Sequence, residues 1–377
     1  MEAATLRTAA RRLTAADITL GAIWIAPGGG DNGDGQRPDP GQANADETVA
    51  AALAAGIVEF DTAPWYGSGA SEERLGIALR HAGVSAESAR VTTKVGRLFR
   101  ESDGSAARAG FDGPRRPPLC SRVCTNDYTA EGARKSLQES LDRLGMARVH
   151  ALRIHDPNDN SSNRPGHDGF VDEVGIALAA DGACAELLRL RASGVIDHVG
   201  LGMNCNIETH MGAPDQVLRM IRGAGNGALD SALLAGGWNL LSQAGLPCFA
   251  ECEARGIAVH VAGVFASGVL ASADPTRATY SYRKADSAML ARVEAWRSLS
   301  SAHGLELPAV AIAFAALPVC VTRIVLGIGT AEQVAANLRW VEQSADVPAV
   351  LWSEAKASGL LDASVPTPPC EDGPGAI

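Results

Sequence analysis

Three ionisable side chains close three short apolar runs: Asp61 ends GIVEFD, Lys94 ends RVTTK and His155 ends HALRIH. Runs of this length read as buried strands, so a carboxylate, an ammonium and an imidazole each stand at the carboxyl end of a predicted strand. Tyr66 follows Asp61 by five residues, in DTAPWYG, within reach of the same pocket. A phenol with an ordinary pKa of about 10 is a poor proton shuttle at neutral pH, but a Lys ammonium beside it favours the phenolate. Asp61 would keep Lys94 charged, and His155 would donate a hydrogen bond to a substrate oxygen. The four together suit a Tyr that gives or takes a proton at oxygen while a hydride moves to or from carbon.

The elements that carry these groups alternate between β-branched runs and longer amphipathic stretches, the pattern of parallel strands joined by crossover helices. Strands are predicted near residues 18–25, 57–61, 90–94, 149–155, 196–202, 228–233, 257–263 and 323–327. Between them, helices are predicted over 45–56, 71–83 and 130–145, each closed by a Gly. Eight such units, with no G-x-G-x-x-G after the first strand, favour a closed (β/α)8 TIM barrel over an open dinucleotide-binding sheet. Barrel enzymes place catalysis at the carboxyl ends of their strands, where Asp61, Lys94 and His155 fall. Residues 1–377 are read as one barrel domain with loop insertions near 27–44, 99–127 and 156–168 and a terminal helix and tail at 349–377. The insertions after the third and fourth strands would rim the active face; the first of them carries Arg115, Arg116, Cys120 and Cys124.

Composition excludes several classes. A net charge of -10 and a pI near 5.3 repel a phosphate backbone, so no nucleic acid is expected as a partner. The longest apolar run, 307–321, is too short and too rich in Pro to span a bilayer and reads as a buried helix, so no membrane partner is expected. The first residues carry Arg7, Arg11 and Arg12 without the apolar core of a secretory signal, and a cytoplasmic location is expected. The spacings Cys120/Cys124 and Cys248/Cys252 could suggest a metal, yet no second Cys/His pair lies near either, and no metal is expected. Trp24, Trp65 and Trp238 are placed near the active face. There they would form an aromatic wall for a sugar or pyridine ring, packing being the other role open to each.

DTAPWYG with SEERLGIALR, then TTKVGRL, IHDPN, GLGMN and GTAEQVAANLRW, resemble the aldo-keto reductases, in that order and over almost the whole chain. The resemblance assigns the catalytic tetrad to Asp61, Tyr66, Lys94 and His155. LLAGGWNLLSQ, AECEARGIAVHVAGVFASGVLA and LWSEAKASGLLDASVPTP are similar to a branch of D-threo-aldose (L-fucose), L-galactose and pyridoxal dehydrogenases. It implies a nicotinamide cofactor, with Asn204 at the nicotinamide amide and Phe265, Ser267 and Gly268 at the pyrophosphate. Gly327, Gly329, Thr330, Gln333 and Asn337 would line the adenosine end. Family members that prefer NADP place a Lys, a Ser and an Arg at positions that hold Gly327, Ile328 and Gln333 here, so NAD is preferred over NADP. Arg323 and Arg339 are the cations left to compensate. The family commonly has Asp where this chain has His150, which is read as structural. The activity implied is NAD(P)-dependent oxidation of a small aldose such as L-fucose, D-arabinose or L-galactose to its lactone. Pyridoxal 4-dehydrogenation and NADPH-dependent carbonyl reduction are its rivals, and a nicotinamide-binding redox sensor is the rival without turnover. Oligomeric state is left open.

Overall fold

The computed structural model describes residues 6–27, 39–85, 88–101, 122–158, 169–206, 214–277, 279–280 and 283–370. Alternation of side chains along each strand sets the architecture. Leu20, Phe60, Val91, Leu152, Val199 and Val261, all at most 1% exposed, point outward into a layer of helices. The residues between them point inward. Among the described residues eight parallel strands close on themselves: β1 (Ile18–Gly21), β2 (Glu59–Asp61), β3 (Arg90–Val95), β6 (Ala151–His155), β7 (His198–Asn204), β8 (Ser231–Ala235), β9 (Ala258–Ala262) and β12 (Val321–Gly327), with β12 pairing back to β1. The predicted (β/α)8 barrel is the observed fold. Outside it, β4 (Arg97–Glu101) and β5 (Arg122–Asn126) form an antiparallel pair, as do β10 (Thr279–Tyr280) and β11 (Arg283–Lys284).

Helices cover the barrel: α1 (Gly41–Ala54), α2 (Ala70–His81), α3 (Ala130–Leu144), α4 (Glu173–Leu178), α5 (Ala183–Ala192) and α6 (Pro214–Ala224), then α7 (Leu246–Ala254), α8 (Ser287–Ala302), α9 (Leu307–Ala315), α10 (Ala331–Gln343) and α11 (Ala349–Ala357). Local signals place their ends: Thr129 accepts from the Gly132 amide to cap α3, and Gly145 takes the left-handed conformation that stops it. The apolar run from 307 becomes the buried α9. No helix among the described residues is long and apolar enough to cross a membrane.

Two expectations are corrected. The first strand was predicted to reach residue 25, but it stops at Gly21 and Ala22–Ile25 form a 3-10 turn. The reason lies in α2: Ser71 donates to the Ala22 carbonyl at 2.8 Å and Arg74 to that of Ile25 at 2.8 Å, supplying partners other than a strand ladder. The stretch predicted as a loop over 99–127 is structured at both ends, where β4 and β5 pair; its centre, with Arg115, Arg116 and Cys120, lies outside the described residues. The centres of the other two expected insertions also lie outside them.

Candidate active site

Asp61 is the last residue of β2 and Lys94 the fifth of β3; both point inward and both are nearly inaccessible, at 2% and 1% exposure. Lys94 Nζ donates to Asp61 Oδ1 at 2.6 Å, to the Thr62 carbonyl at 2.8 Å and to Tyr66 Oη at 3.0 Å. An ammonium has three protons, so all are engaged, and the Tyr66 hydroxyl proton is left for a substrate. Tyr66 sits on a tight turn after β2 in which Gly67 has φ +59 and Ser68 φ +54. A Cβ on Gly67 would lie 2.8 Å from Ala26 Cβ, so only Gly lets this turn approach the loop after β1. His155 ends β6 with its ring edge-on to Tyr66, centroids 5.9 Å apart. The four residues expected to act together therefore meet at the carboxyl ends of β2, β3 and β6.

Burial and the charges of Asp61 and Asp156 push the Tyr66 phenol well above its ordinary value, against the pull of Arg153 and Arg97. Burial lowers Lys94, with Asp61 opposing. Burial, Arg97 and Lys94 hold His155 well below its usual range, so its imidazole is neutral. Among its atoms Nδ1 is buried without a hydrogen-bond partner, while Nε2 lies 3.4 Å from Asp156 Oδ2. That arrangement suits a proton on Nε2, the nitrogen with a carboxylate oxygen beside it.

Three charged residues of this cluster were not singled out from sequence. Arg153 is 1% exposed and donates from Nη1 to Asp61 Oδ2 and from Nη2 towards His260 Nδ1 at 2.7 Å. Asp156, with φ +43, accepts from the Asn204 amide at 2.9 Å and from Asn204 Nδ2 at 3.2 Å. Arg97 lies over the Trp65 ring at 4.6 Å and 3.8 Å from Asp156 Oδ2. A signal existed for the first: residues 151, 153 and 155 share one face of a strand, so an inward His155 implies an inward Arg153. Tyr128 braces the turn beyond β6, donating to the His155 carbonyl at 2.6 Å.

The aromatic residues separate. Trp65 stands at the site, with Phe99 of β4 at 6.3 Å, and Trp24 packs its indole against Gly327, where a Cβ would lie 2.1 Å from Nε1. Trp238, expected as a substrate contact, is a core residue instead: it is fully buried, stacks on Phe314 at 4.9 Å and donates its indole N–H to the Phe314 carbonyl. A flat ring of that size three residues past a strand is drawn under α9 by the apolar surface there.

A nicotinamide dinucleotide needs a groove with backbone donors and few side chains in the way. Past β9, Ala266, Ser267 and Gly268 run through positive φ, and the space a Cβ on Gly268 would fill is open. Phe265 of this loop packs edge-on against Trp340 of α10 at 5.8 Å, which brings it beside the other expected contacts. Thr330 caps α10, Gln333 accepts from the Gly329 amide at 2.7 Å and Asn337 is buried. Asn204, tied to Asp156, stands next to His155 where a nicotinamide ring would reach the tetrad. The residues present fit the cofactor. Arg323 is bound to Glu59 at 2.8 Å and Arg339 to Glu306 at 3.3 Å. His150 lies at the amino end of β6, against Asp197 at 3.1 Å. Cys248 and Cys252 pack in α7, and no cluster of metal-binding side chains occurs among the described residues.

Residues 25–347 match the model of the Aldo/keto reductase family. The chain is 32% identical over 329 residues to pyridoxal 4-dehydrogenase of Microbacterium luteolum, covering 85% of this chain and 89% of that protein. It is 32% identical over 321 residues to D-threo-aldose 1-dehydrogenase of a Pseudomonas species, covering 84% and 87%. Glycerol dehydrogenase of Gluconobacter oxydans shares the fold, with a TM-score of 0.63, 22% identity and 100% of both chains covered.

Proposed function

Since the chain belongs to the aldo/keto reductase family, we propose that it oxidises a small aldose at C1 to the lactone, with NAD as its preferred cofactor. The observation that carries this reading is the buried contact of Lys94 with both Asp61 and Tyr66. A bound nicotinamide dinucleotide supplies the hydride acceptor. Tyr66, as the phenolate that Lys94 stabilises by donating to its oxygen, takes the proton of the anomeric hydroxyl. Asp61 holds Lys94 in place, and neutral His155 orients the reacting oxygen through Nε2–H. Asn204 would hold the nicotinamide amide. Phe265, Ser267 and Gly268 would hold the pyrophosphate, and Gly327, Gly329, Thr330, Gln333 and Asn337 the adenosine end.

The preference for NAD draws support from the surroundings of the expected 2′-phosphate site. Gly327 and Ile328 offer no cation, while Arg323 and Arg339 are already paired with carboxylates. A phosphate dianion would find little to pair with. Pyridoxal, through its cyclic hemiacetal, presents the same hydroxyl, and a relative named for it matches as closely as the aldose enzyme. Its aromatic ring would suit Trp65.

A panel of L-fucose, D-arabinose, L-galactose and pyridoxal with NAD⁺ and with NADP⁺ tests the proposal. Turnover of at least one aldose with NAD⁺ is expected. Oxidation of pyridoxal alone would move the assignment to that substrate; no oxidation, with aldehyde reduction by NADPH, would overturn it.

A further inference from the structure

Arg153 has no place in the steps above, yet it is buried as deeply as Lys94, each at 1% exposure. It lies inside the barrel below His155. Its Nη1 takes Asp61 Oδ2, the oxygen that Lys94 leaves open, and Nη2 is 2.7 Å from His260 Nδ1 on β9. β7 makes the room: a Cβ at Gly200 would stand 3.3 Å from Arg153 Cγ, and one at Gly202 3.1 Å from Lys94 Cε. Buried ion pairs seldom outdo apolar packing as a source of stability, so a guanidinium placed here calls for another role.

The charges around the Tyr66 hydroxyl can be summed by element. Asp61 comes from β2, Lys94 from β3, Arg97 from β4, Arg153 and His155 from β6, and Asp156 from the turn beyond β6. Behind Arg153 stands His260. Burial keeps both histidines neutral, His155 and His260 lying well below their usual range. Among the described residues three cations then face two carboxylates, and removal of Arg153 would take one positive charge from that balance. A positive sum favours the phenolate over the phenol.

We infer that Arg153 is a positioning residue for the proton transfer at Tyr66. By holding the second oxygen of Asp61 it fixes that carboxylate between two cations and adds one positive charge beside the phenol. A larger share of Tyr66 thereby stands as the phenolate that accepts the proton, and the site is biased towards oxidation. The inference rests on the proton-transfer role proposed for Tyr66.

The test uses the full chain with Arg153→Met, which keeps an unbranched stem and removes the charge, and Arg153→Lys, which keeps the charge and loses the fork. If Arg153→Met does not fold, Arg153→Gln takes its place with the same expectation. The pH profile of kcat is measured for the oxidation and for the reverse reduction. In Arg153→Met the Tyr66 limb is expected to move up by about one pH unit in both directions of reaction, the effect of losing one nearby charge. In Arg153→Lys it should return most of the way to wild type. A limb that stays put in Arg153→Met, or that moves equally in both variants, would overturn the inference. A second readout needs no turnover: in protein labelled with ¹³Cζ-tyrosine, the resonance missing from Tyr66→Phe is followed with pH. Its titration should begin at higher pH in Arg153→Met than in wild type; identical behaviour in the two, including none in either, overturns the inference. Failure of every substrate would sink the functional proposal separately, leaving the resonance to decide on Arg153.

Discussion

Lys94 commits one proton each to a carboxylate, a backbone carbonyl and a phenol, and that division ties the other tetrad members together. Removing the phenol hydroxyl in Tyr66→Phe is expected to lower kcat by roughly 10²–10⁴-fold, the range for losing a positioned general acid or base. Its melting temperature should stay close to wild type, and full activity would refute the assignment. The pH dependence follows from the directions of the shifts. Burial, Asp61 and Asp156 raise Tyr66, so at neutral pH the phenol dominates and the phenolate needed for oxidation is the minor form. The oxidation rate should therefore climb by up to about tenfold per pH unit between about pH 7 and 9, and the reduction rate should fall at the alkaline end. Because burial, Arg97 and Lys94 depress His155, no second limb is expected between about pH 6 and 9. Steady-state rates in both directions check each of these, and a bell centred near neutrality would contradict them.

At the scale of elements, close approach decides which residues are tolerated. A Cβ on Gly76 of α2 would lie 2.0 Å from the Leu144 carbonyl at the end of α3, a backbone atom that cannot swing away. Gly76→Ala is expected to destabilise the fold by about 1–3 kcal/mol, the cost of overpacking, read as a lower urea midpoint with KM unchanged. Trp238 belongs to the same scale, wedged between α7 and α9 against Phe249 and Phe314. Trp238→Ala should lower stability by about 3–5 kcal/mol, as large core truncations do, and leave the KM for sugar untouched in whatever fraction stays folded. A large rise in KM with normal stability would restore it as a substrate contact. Strand parity links the two scales. Asp61, Lys94 and His155 share the inward face of their strands, and the same alternation puts Glu59, Arg153, His260 and Arg323 inside, where most barrels carry branched apolar side chains. Glu59 is partly buried, but Arg323 and Arg90 outweigh that burial and hold its carboxyl below the usual range.

For the molecule as a whole, the barrel brings a lower layer around Glu59 and Arg323 and an upper one around Asp61, Lys94 and Arg153 into one polar interior, closed outside by apolar helices. A cofactor that binds only the folded barrel stabilises it by about 2.7 kcal/mol at a hundred times its Kd. NAD⁺ is therefore expected to raise the melting temperature more than NADP⁺ at equal concentration in thermal denaturation, and the reverse order would count against the NAD preference. By itself the sequence determined the barrel, the strand ends that carry Asp61, Lys94 and His155, and the turn that carries Tyr66, because periodicity and residue type are local properties of the chain. Only the tertiary structure decided that Arg153 holds the far oxygen of Asp61, that Asp156 meets Asn204 and His155, and that Trp238 lies under α9. The contacts of Arg153 with Asp61, of Asp156 with Asn204 and of Trp238 with α9 join residues 48 to 92 positions apart, and distance along the chain carries no record of which side chains a closed barrel will bring face to face.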